Sequence, residues 1–537
     1  MTVPLKQAQI LIIDDFQGMR TMLRDIVKAM GVTKIDTANS GKEAISQLRT
    51  NKYDIVICDY NLGPGQNGQQ VLEESKLLKY IGVSTIWVMV TAEKTVDMVM
   101  GAAEVKPDDY LLKPINQSLL ESRLEKQIVR KQSLRGIETA INAQDYLAAL
   151  AECDQQLKAQ ALNPQEILRI KSDLLMTLGE HDAAKTLFES VLASRSVPWA
   201  KTGLGKIHFQ TGDYDSAKEI FRQVLEENRM YMEASDWLAK TLNSLGEGDK
   251  AQQVLMDAVK LSPNSSVRQR SLGEIAYKNG SLDVAKAAFE KTIKISEFSP
   301  HKNPAAYAGL AKVFSAQDSP DEALKVLQRS KKEFKGNPEA SIQTAAAESA
   351  VYKKMGQMEK AETAMADAEA LMSTMSSQIS NEASMAMAAS LFELGHKEKA
   401  FGLLRDIVKN NHESAEILRQ VEAVFEGAQL GGEGQAVLNE SRQEVININN
   451  QGVMLAKKGE FQEGVALLRG AVKDLPNSEV IIMNLCGLLI GLMSKEGPND
   501  LLLREATELL ECVRRLNPAN KKSQMYASAL ARLERAK

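Results

Sequence analysis

Short apolar runs alternate with amphipathic stretches over the first ~115 residues. The apolar runs predict five strands, at Gln9–Ile13, 34–37, 55–58, 86–90 and 110–112. The stretches between them repeat their apolar residues every three or four positions and predict helices at 17–30, 41–50, 68–80 and 94–103. Strands that are apolar throughout are typical of a parallel sheet covered by helices on both faces.

Five such strand–helix units predict a doubly wound, flavodoxin-like α/β domain. In sheets of this type, ligands bind beyond the carboxyl ends of the strands, so any chemistry is expected at that edge.

From about residue 140 the pattern changes to a repeated phrase. A glycine or turn residue is followed five positions later by a small residue, and four positions after that by a large apolar one. Gly179, Gly212, Gly246 and Gly280 open successive copies, 33 or 34 residues apart. That period predicts antiparallel helix pairs stacked into an all-α solenoid.

These patterns divide the chain into a first domain at 1–120, a helical connector at 116–140 and a repeat region at 140–537. The repeats are less regular after 281, and an interruption is predicted near 410–445. Within it, the glycine-rich stretch 430–434 is interpreted as a loop.

Polar residues follow the predicted strands. Asp14 and Asp15 end the first strand, Asp59 the third, Thr91 the fourth and Lys113 the fifth. In a doubly wound sheet these side chains meet at one edge. Three crowded carboxylates repel one another, and their oxygen atoms suit Mg²⁺, so the sequence predicts a magnesium site there.

With these residues at the strand ends, residues 1–120 resemble a response-regulator receiver domain. The roles that this resemblance implies are phosphoacceptor for Asp59, metal ligand for Asp14, Asp15, Asp59 and the backbone carbonyl of Asn61, phosphoryl contact for Thr91 and Lys113, and switch residue for Thr91 and Tyr110. The phosphoryl donor that it implies is a histidine kinase or a histidine phosphotransfer protein.

Residues 140–537 resemble the tetratricopeptide repeat family, most clearly at Leu204-Gly205, Gly212-Asp213-Tyr214, Ala217 and Phe221. The resemblance implies a groove for an unidentified protein partner. By the family pattern, its candidate lining residues are Lys206, Phe209, Lys240, Asn243, Arg270 and Tyr277.

Composition narrows the function further. The net charge is −4, without a basic stripe, which argues against nucleic-acid binding. The four cysteines are scattered and indicate neither a zinc site nor a disulfide framework. No apolar stretch has the ~18 residues of a membrane helix, so no membrane insertion is expected, and we expect a cytoplasmic protein.

The sequence therefore predicts a two-component response regulator, phosphorylated on Asp59 with Mg²⁺, that controls protein binding by its repeats. We expect no enzyme activity beyond its own phosphorylation and dephosphorylation. Two alternatives stay open: a repeat-based modulator of a kinase or phosphatase pathway with the receiver as sensor, and a helical-repeat RNA-binding protein. Homodimerisation also stays open.

Overall fold

The computed structural model describes residues 5–92, 104–161, 163–375, 379–517 and 520–535. The chain forms two compact units, Met1–Ala306 and Tyr307–Lys537. The helix predicted at 94–103 lies outside the described residues.

The first unit begins with a five-stranded parallel sheet. Its strands are β1 (Gln9–Ile13), β2 (Lys34–Ala38), β3 (Ile55–Asp59), β4 (Ile86–Thr91) and β5 (Asp109–Leu112). They lie in the order β2-β1-β3-β4-β5, and every neighbouring pair is parallel. The predicted doubly wound α/β fold is confirmed, and each predicted strand lies within one residue of its observed bounds at either end.

Two apolar layers enclose this sheet because successive side chains of a strand point to opposite faces. Ile10 and Ile12 of β1 belong to one buried cluster, and Leu11 and Ile13 belong to the other. The flanking described segments are a short 3₁₀ turn and four helices, Leu5–Gln7, Gln17–Ala29, Gly41–Thr50, Gly68–Leu77 and Gln117–Lys131. The sheet register brings the residues that follow β1, β3 and β5 to one edge.

The segment after the sheet is helical and packs against the α/β domain. Helix Gln117–Lys131 continues through a 3₁₀ turn, Gln132–Leu134, into helix Arg135–Asn142. Lys131 Nζ lies 2.7 Å from Asp108 Oδ1, and Arg135 Nη2 lies 2.9 Å from Asp54 Oδ1. These ion pairs hold the helical segment against the loops at the amino ends of the strands.

Antiparallel helix pairs fill the rest of the first unit, as the 33–34-residue period predicts. The helices are Tyr146–Lys158, Pro164–Thr177, His181–Ser194, Pro198–Gln210, Tyr214–Glu227, Met232–Ser244, Gly248–Leu261, Ser266–Lys278 and Leu282–Ile295. Each predicted repeat glycine, Gly179, Gly212, Gly246 and Gly280, has a φ between 68° and 85°. Glycine adopts this left-handed conformation at little cost, which explains why it marks the turn inside each pair.

The second unit contains further helices of the same kind. From residue 304 onward they are Pro304–Ala316, Pro320–Glu333, Pro338–Lys354, Met358–Met375, Asn381–Leu394, Lys397–Asn410, Ala415–Gly427, Gly431–Lys457, Phe461–Asp474, Glu479–Glu496, Asp500–Leu516 and Lys521–Arg535. Within the described ranges, none of the helices is both long enough and apolar enough to cross a bilayer.

The loop interpretation of residues 430–434 is wrong. Gly431 opens the 27-residue helix Gly431–Lys457, and only the turn before it is non-helical. A Cβ on Gly434 would lie 2.4 Å from Cγ of Phe425 in the preceding helix. The glycine is therefore explained by close helix packing, which outweighs its poor helix propensity.

Candidate functional site

Asp14 and Asp15 follow β1 and differ in exposure. The Asp14 side chain is buried, and its Oδ1 accepts a 2.9 Å hydrogen bond from the backbone N–H of Phe16. Asp15 is exposed. Arg20 Nη1 donates to both backbone carbonyls, at 2.6 Å for Asp14 and 2.9 Å for Asp15, and so fixes the turn that presents the two acids.

Asp59 and Lys113 form the centre of the site. Lys113 Nζ donates to Asp59 Oδ2 at 2.7 Å and to Asp14 Oδ2 at 2.9 Å. Burial raises the pKa of Asp59, although the hydrogen bond from Lys113 opposes that rise. Burial alone would lower the pKa of Lys113, but its hydrogen bonds to Asp59 and Asp14 raise it. The ammonium is thus held charged between two carboxylates from different strands.

The neighbouring thiol does not compete with Asp59 as a nucleophile. Cys58 is fully buried, and burial raises its pKa well above the usual value. Its Sγ donates to the backbone carbonyl of Asp59 at 3.2 Å. A neutral thiol is a weak nucleophile, so Cys58 is a poor competitor for the carboxylate at the end of β3.

The loop after Asp59 returns tightly to the strand. The backbone N–H of Gly68 donates to the carbonyl of Tyr60 at 2.8 Å, and Asn67 and Gln70 form a reciprocal cap on helix Gly68–Leu77. A Cβ on Gly68 would lie 2.1 Å from the backbone oxygen of Asp59. The site therefore requires glycine at this position.

Gly68→Ala is expected to lower the rate of phosphorylation by a small phosphodonor by about 10²-fold, because the added methyl must push either the helix or the Asp59 backbone away. A displacement of about 1 Å of a reacting group has effects of that order. The rate is measured with acetyl phosphate and Mg²⁺ on a phosphate-affinity gel.

Gly18→Ala is the matched control for that substitution. The three atoms nearest to its Cβ would all belong to the ring of Phe16, whose side chain is 70% exposed and can move into solvent. We expect a rate within about twofold of wild type for this control. A wild-type rate for Gly68→Ala would show that the close approach to Asp59 has no role in positioning the carboxylate.

The remaining predicted receiver residues lie around this centre. Thr91 ends β4 and is buried. Tyr110, in β5, is half-buried and packs against the apolar cluster that contains Leu11 and Ile13. The backbone N–H of Asn61 donates to the Asp59 carboxylate, while a role for its carbonyl as a metal ligand stays a prediction.

The three acids are arranged as a divalent cation would require. One carboxylate oxygen from each of Asp14, Asp15 and Asp59 lies within 4.8 Å of the other two. Carboxylate oxygens are hard, negatively charged ligands, which is the kind of ligand that Mg²⁺ prefers. The donor set therefore fits this ion.

The residues predicted to line a repeat groove do not share one environment. Phe209, which the family pattern predicts to line the groove, is 3% exposed, so its side chain is not available to a partner there and that prediction is wrong. It packs edge-on against Tyr214 and Trp237, at 5.2 and 5.3 Å between ring centroids, because it lies where two consecutive repeats meet.

The other five groove candidates retain some exposure. Lys206 and Lys240 each place the ammonium near the Trp237 ring, at 5.4 and 5.0 Å from its centroid. Asn243 is half-buried, Arg270 lies 3.6 Å from Glu274, and Tyr277 is 37% exposed. A role for these side chains in partner binding stays a prediction.

Two receiver residues that the sequence does not single out contact the repeats directly. Gln66 Nε2 donates to the backbone carbonyl of Phe298 at 2.9 Å, and Gln70 Nε2 donates to that of Ile295 at 3.1 Å. Gln66 belongs to the loop between Asp59 and helix Gly68–Leu77. The site is thus connected to the repeats through its own loop.

Comparison with known families matches two parts of the chain. The family model described as response regulator receiver domain matches residues 10–125. Models described as tetratricopeptide repeat match residues 175–235, 208–273 and 270–338. The resemblances seen in the sequence are confirmed for these ranges.

Individual relatives match the receiver. The chain is 31% identical over 121 residues to the chemotaxis protein CheY of Pseudomonas aeruginosa, covering 22% of this chain and 94% of that protein. It is 30% identical over 124 residues to CheY-3 of Vibrio cholerae, covering 22% and 92%. Among solved structures, a CheY-like receiver domain from Methanospirillum hungatei aligns with 19% identity and a TM-score of 0.22, covering 23% and 96%. The structure of MamA aligns with 19% identity and a TM-score of 0.30, covering 34% and 96%.

Proposed function

Because the chain belongs to the response-regulator family and carries tetratricopeptide repeats, which are protein-interaction scaffolds, we propose that phosphorylation of Asp59 controls which proteins its repeats bind. The observation that carries this proposal is the position of Lys113, whose ammonium lies 2.7 Å from Asp59 and 2.9 Å from Asp14. A fixed positive charge beside a nucleophilic carboxylate is the arrangement that phosphoryl transfer needs.

In the proposed reaction, an Asp59 oxygen forms a bond to phosphorus while the bond from phosphorus to a donor histidine nitrogen breaks. The imidazole leaves with the electron pair of that bond. Lys113 and the Thr91 hydroxyl donate hydrogen bonds to the transferred phosphoryl oxygens. Asp14, Asp15 and Asp59 would hold Mg²⁺, which when bound neutralises charge on the carboxylates and the phosphoryl group. The chain performs no other chemistry in this proposal.

The signal would reach the repeats by two routes that begin at the site. A phosphoryl group adds about −1.5 to −2 charges at neutral pH. Attraction of Thr91 and Lys113 to that charge would move the end of β4 and the loop after β5, with Tyr110 turning into the vacated space. The loop that carries Gln66 would move with Asp59 and alter the hydrogen bond to Phe298. Each route shifts a population between two packings.

The donor would be a histidine kinase or a histidine phosphotransfer protein, and we place the exchange in the cytoplasm. The repeats then supply the output surface. Stacked helix pairs present a groove suited to an extended or helical segment of another protein.

The proposal is tested by comparing captured proteins in four conditions. Tagged wild-type chain and Asp59→Asn are each incubated with cell extract and Mg²⁺, with and without beryllofluoride as a phosphoryl mimic. We expect beryllofluoride to change the recovery of at least one protein about tenfold for the wild type and to change none for Asp59→Asn. Quantitative mass spectrometry measures the recoveries. Identical recoveries in all four conditions would reject control by phosphorylation.

A further inference from the structure

A group of charged side chains on three repeat helices faces the receiver. We define the first-helix cluster as Lys206, Glu233, Asp236 and Arg268, which lie on helices Pro198–Gln210, Met232–Ser244 and Ser266–Lys278. Each helix is the first of its repeat pair. The receiver segment that meets this cluster is 104–106, three residues before β5 begins.

Arg268 forms the acid-binding half of the cluster. Its side chain is only 1% exposed, and its guanidinium contacts Asp236 at 2.7 and 3.0 Å. Its Nη1 and Nη2 contact Glu104 of the receiver, at 3.1 and 3.3 Å, so the two carboxylates share Nη2. A buried guanidinium requires neutralising partners, and two-pronged pairing with a carboxylate is its strongest contact. Arg268 therefore forms an ion pair with the acidic side chain at position 104.

Glu233 forms the base-binding half. Its Oε2 lies 3.5 Å from Lys106 Nζ, and its Oε1 lies 2.5 Å from Lys206 Nζ. Burial would raise the pKa of Glu233, but Lys206, Lys106 and Arg169 together outweigh burial and lower it to about 2. For Lys106, burial outweighs the attraction of Glu233 and lowers the pKa of its ammonium. The carboxylate is thus charged throughout the neutral range. Arg268 thus contacts an acid of the receiver segment, and Glu233 lies beside the base two residues later.

The receiver presents this segment in a constrained backbone conformation. Lys106 has a φ of +56°, which residues other than glycine rarely adopt. From the receiver side, Lys76 Nζ donates to the backbone carbonyls of Val105 and Lys106, at 2.7 and 2.8 Å. The segment is therefore fixed by contacts from both sides, and a shift of either side changes its fit.

The boundary between the segment and the repeats is polar and incompletely packed. A cavity of about 400 Å³ lies beside it, lined in part by Glu73, Glu104, Ser262, Ser265 and Lys294. The apolar residues Val267 and Phe298 at its margin are each 47% exposed. A mostly polar boundary of this kind is typical of contacts that form and separate.

We infer that the first-helix cluster is a docking site for a partner protein segment that carries an acidic residue and, two positions later, a basic one. The receiver segment 104–106 occupies this site within the chain, so a partner must displace it. Coupling of that displacement to Asp59 rests on the proposed function, because the segment leads into β5 and Lys113. The binding chemistry of the site itself does not depend on phosphorylation.

Fluorescence polarisation with a labelled peptide tests the inference on the full chain. The probe is the chain's own sequence 104–112, Glu-Val-Lys-Pro-Asp-Asp-Tyr-Leu-Leu. Wild type is compared with Glu104→Gln/Lys106→Gln, which removes both charges that hold the receiver segment in place. We expect the double variant to bind the peptide at least tenfold more tightly, because an attached segment competes at high effective concentration.

Four controls test whether the peptide binds at the first-helix cluster. A peptide with its first and third residues exchanged, Lys-Val-Glu, is expected to bind at least tenfold more weakly to the double variant. Adding either Arg268→Gln or Glu233→Gln to the double variant should each weaken binding of the original peptide at least tenfold. Glu322→Gln/Lys325→Gln, which removes an exposed ion pair elsewhere, should bind the peptide as the wild type does.

Equal affinity of wild type and the double variant, or equal binding of the two peptides, would overturn the docking site. Beryllofluoride and Mg²⁺ added to the wild type separate this result from the proposed function. Tighter peptide binding on that addition supports both. If beryllofluoride does not change peptide binding by the wild type while the double variant still binds tightly, control of the repeats by phosphorylation of Asp59 is rejected. The docking site is supported in that case.

Discussion

Replacing Asp59 by asparagine is expected to reduce phosphorylation of the chain by acetyl phosphate in the presence of Mg²⁺ by about 10³-fold or more. Removal of a nucleophile produces losses of at least this size. The amide keeps the shape of the side chain and can still accept a hydrogen bond from Lys113, but its oxygen is a far weaker nucleophile and carries no charge. Phosphoryl incorporation is followed by phosphate-affinity electrophoresis and by the mass of the intact chain.

Asp25→Asn is the matched control, since Asp25 is exposed on the receiver helix Gln17–Ala29 and undergoes the same chemical change. It should be phosphorylated at the wild-type rate. A second check omits Mg²⁺ from the wild-type reaction, which should remove most of the signal if Asp14, Asp15 and Asp59 hold the ion. Full phosphorylation of Asp59→Asn would place the acceptor on another residue and end the case for this site.

The sheet and its polar edge were predictable because strand ends in a parallel α/β fold are fixed by local pattern. Once Ile10–Ile13 and 55–58 are identified as buried strands, Asp14 and Asp59 must lie at the same edge. The Lys113 contacts follow for the same reason, although the residues are separated by 54 and 99 positions. The strand order of the fold therefore turns local strand predictions into a prediction of contacts between residues far apart in the sequence.

The contacts between the receiver and the repeats were not predictable in the same way. Arg268 and Glu104 are 164 residues apart, and neither has a local pattern that distinguishes it from a solvated surface charge. The hydrogen bond from Gln66 to Phe298 spans 232 residues. Only the relative placement of the sheet and the repeat helices brings these residues together, and no periodicity in the sequence encodes that placement.

Phe209 shows a different reason why a prediction from the sequence can be wrong. Family spacing places a side chain on a helix, but the burial of that position depends on the size of its neighbours. Trp237 in the next repeat is large enough to close over Phe209, with centroids 5.3 Å apart, so the position joins the core. A spacing argument that ignores the neighbour's volume cannot distinguish a groove from a filled contact.

The best-matched repeat owes its packing to a glycine and an aromatic ring. Phe221 is fully buried, and its ring lies at 25° to that of Trp237 with centroids 6.2 Å apart. A Cβ on Gly205 would lie 2.5 Å from Cε1 of Phe221. The missing side chain at Gly205 therefore makes the space that the ring fills, and the two residues act as one packing unit.

Phe221→Ala is expected to destabilise these repeats by about 3–5 kcal/mol, because it leaves a cavity that glycine cannot fill. Urea unfolding is followed by tryptophan fluorescence, to which Trp237 beside the lost ring contributes together with Trp87 and Trp199. The exposed neighbour Arg222, replaced by alanine, should cost no more than about 0.5 kcal/mol.

The effect of Gly205→Ala on the free energy of unfolding gives a sharper test of whether Gly205 and Phe221 pack as one unit, because its sign should depend on the residue at position 221. Gly205→Ala should destabilise the wild type, where its methyl meets the Phe221 ring, and should stabilise Phe221→Ala, where the methyl enters the cavity. In the second background it also gains about 1 kcal/mol of helix propensity. The opposite signs are the signature of residues that share one space, since independent sites have additive effects. The same effect of Gly205→Ala in both backgrounds would show that the glycine and the ring are independent.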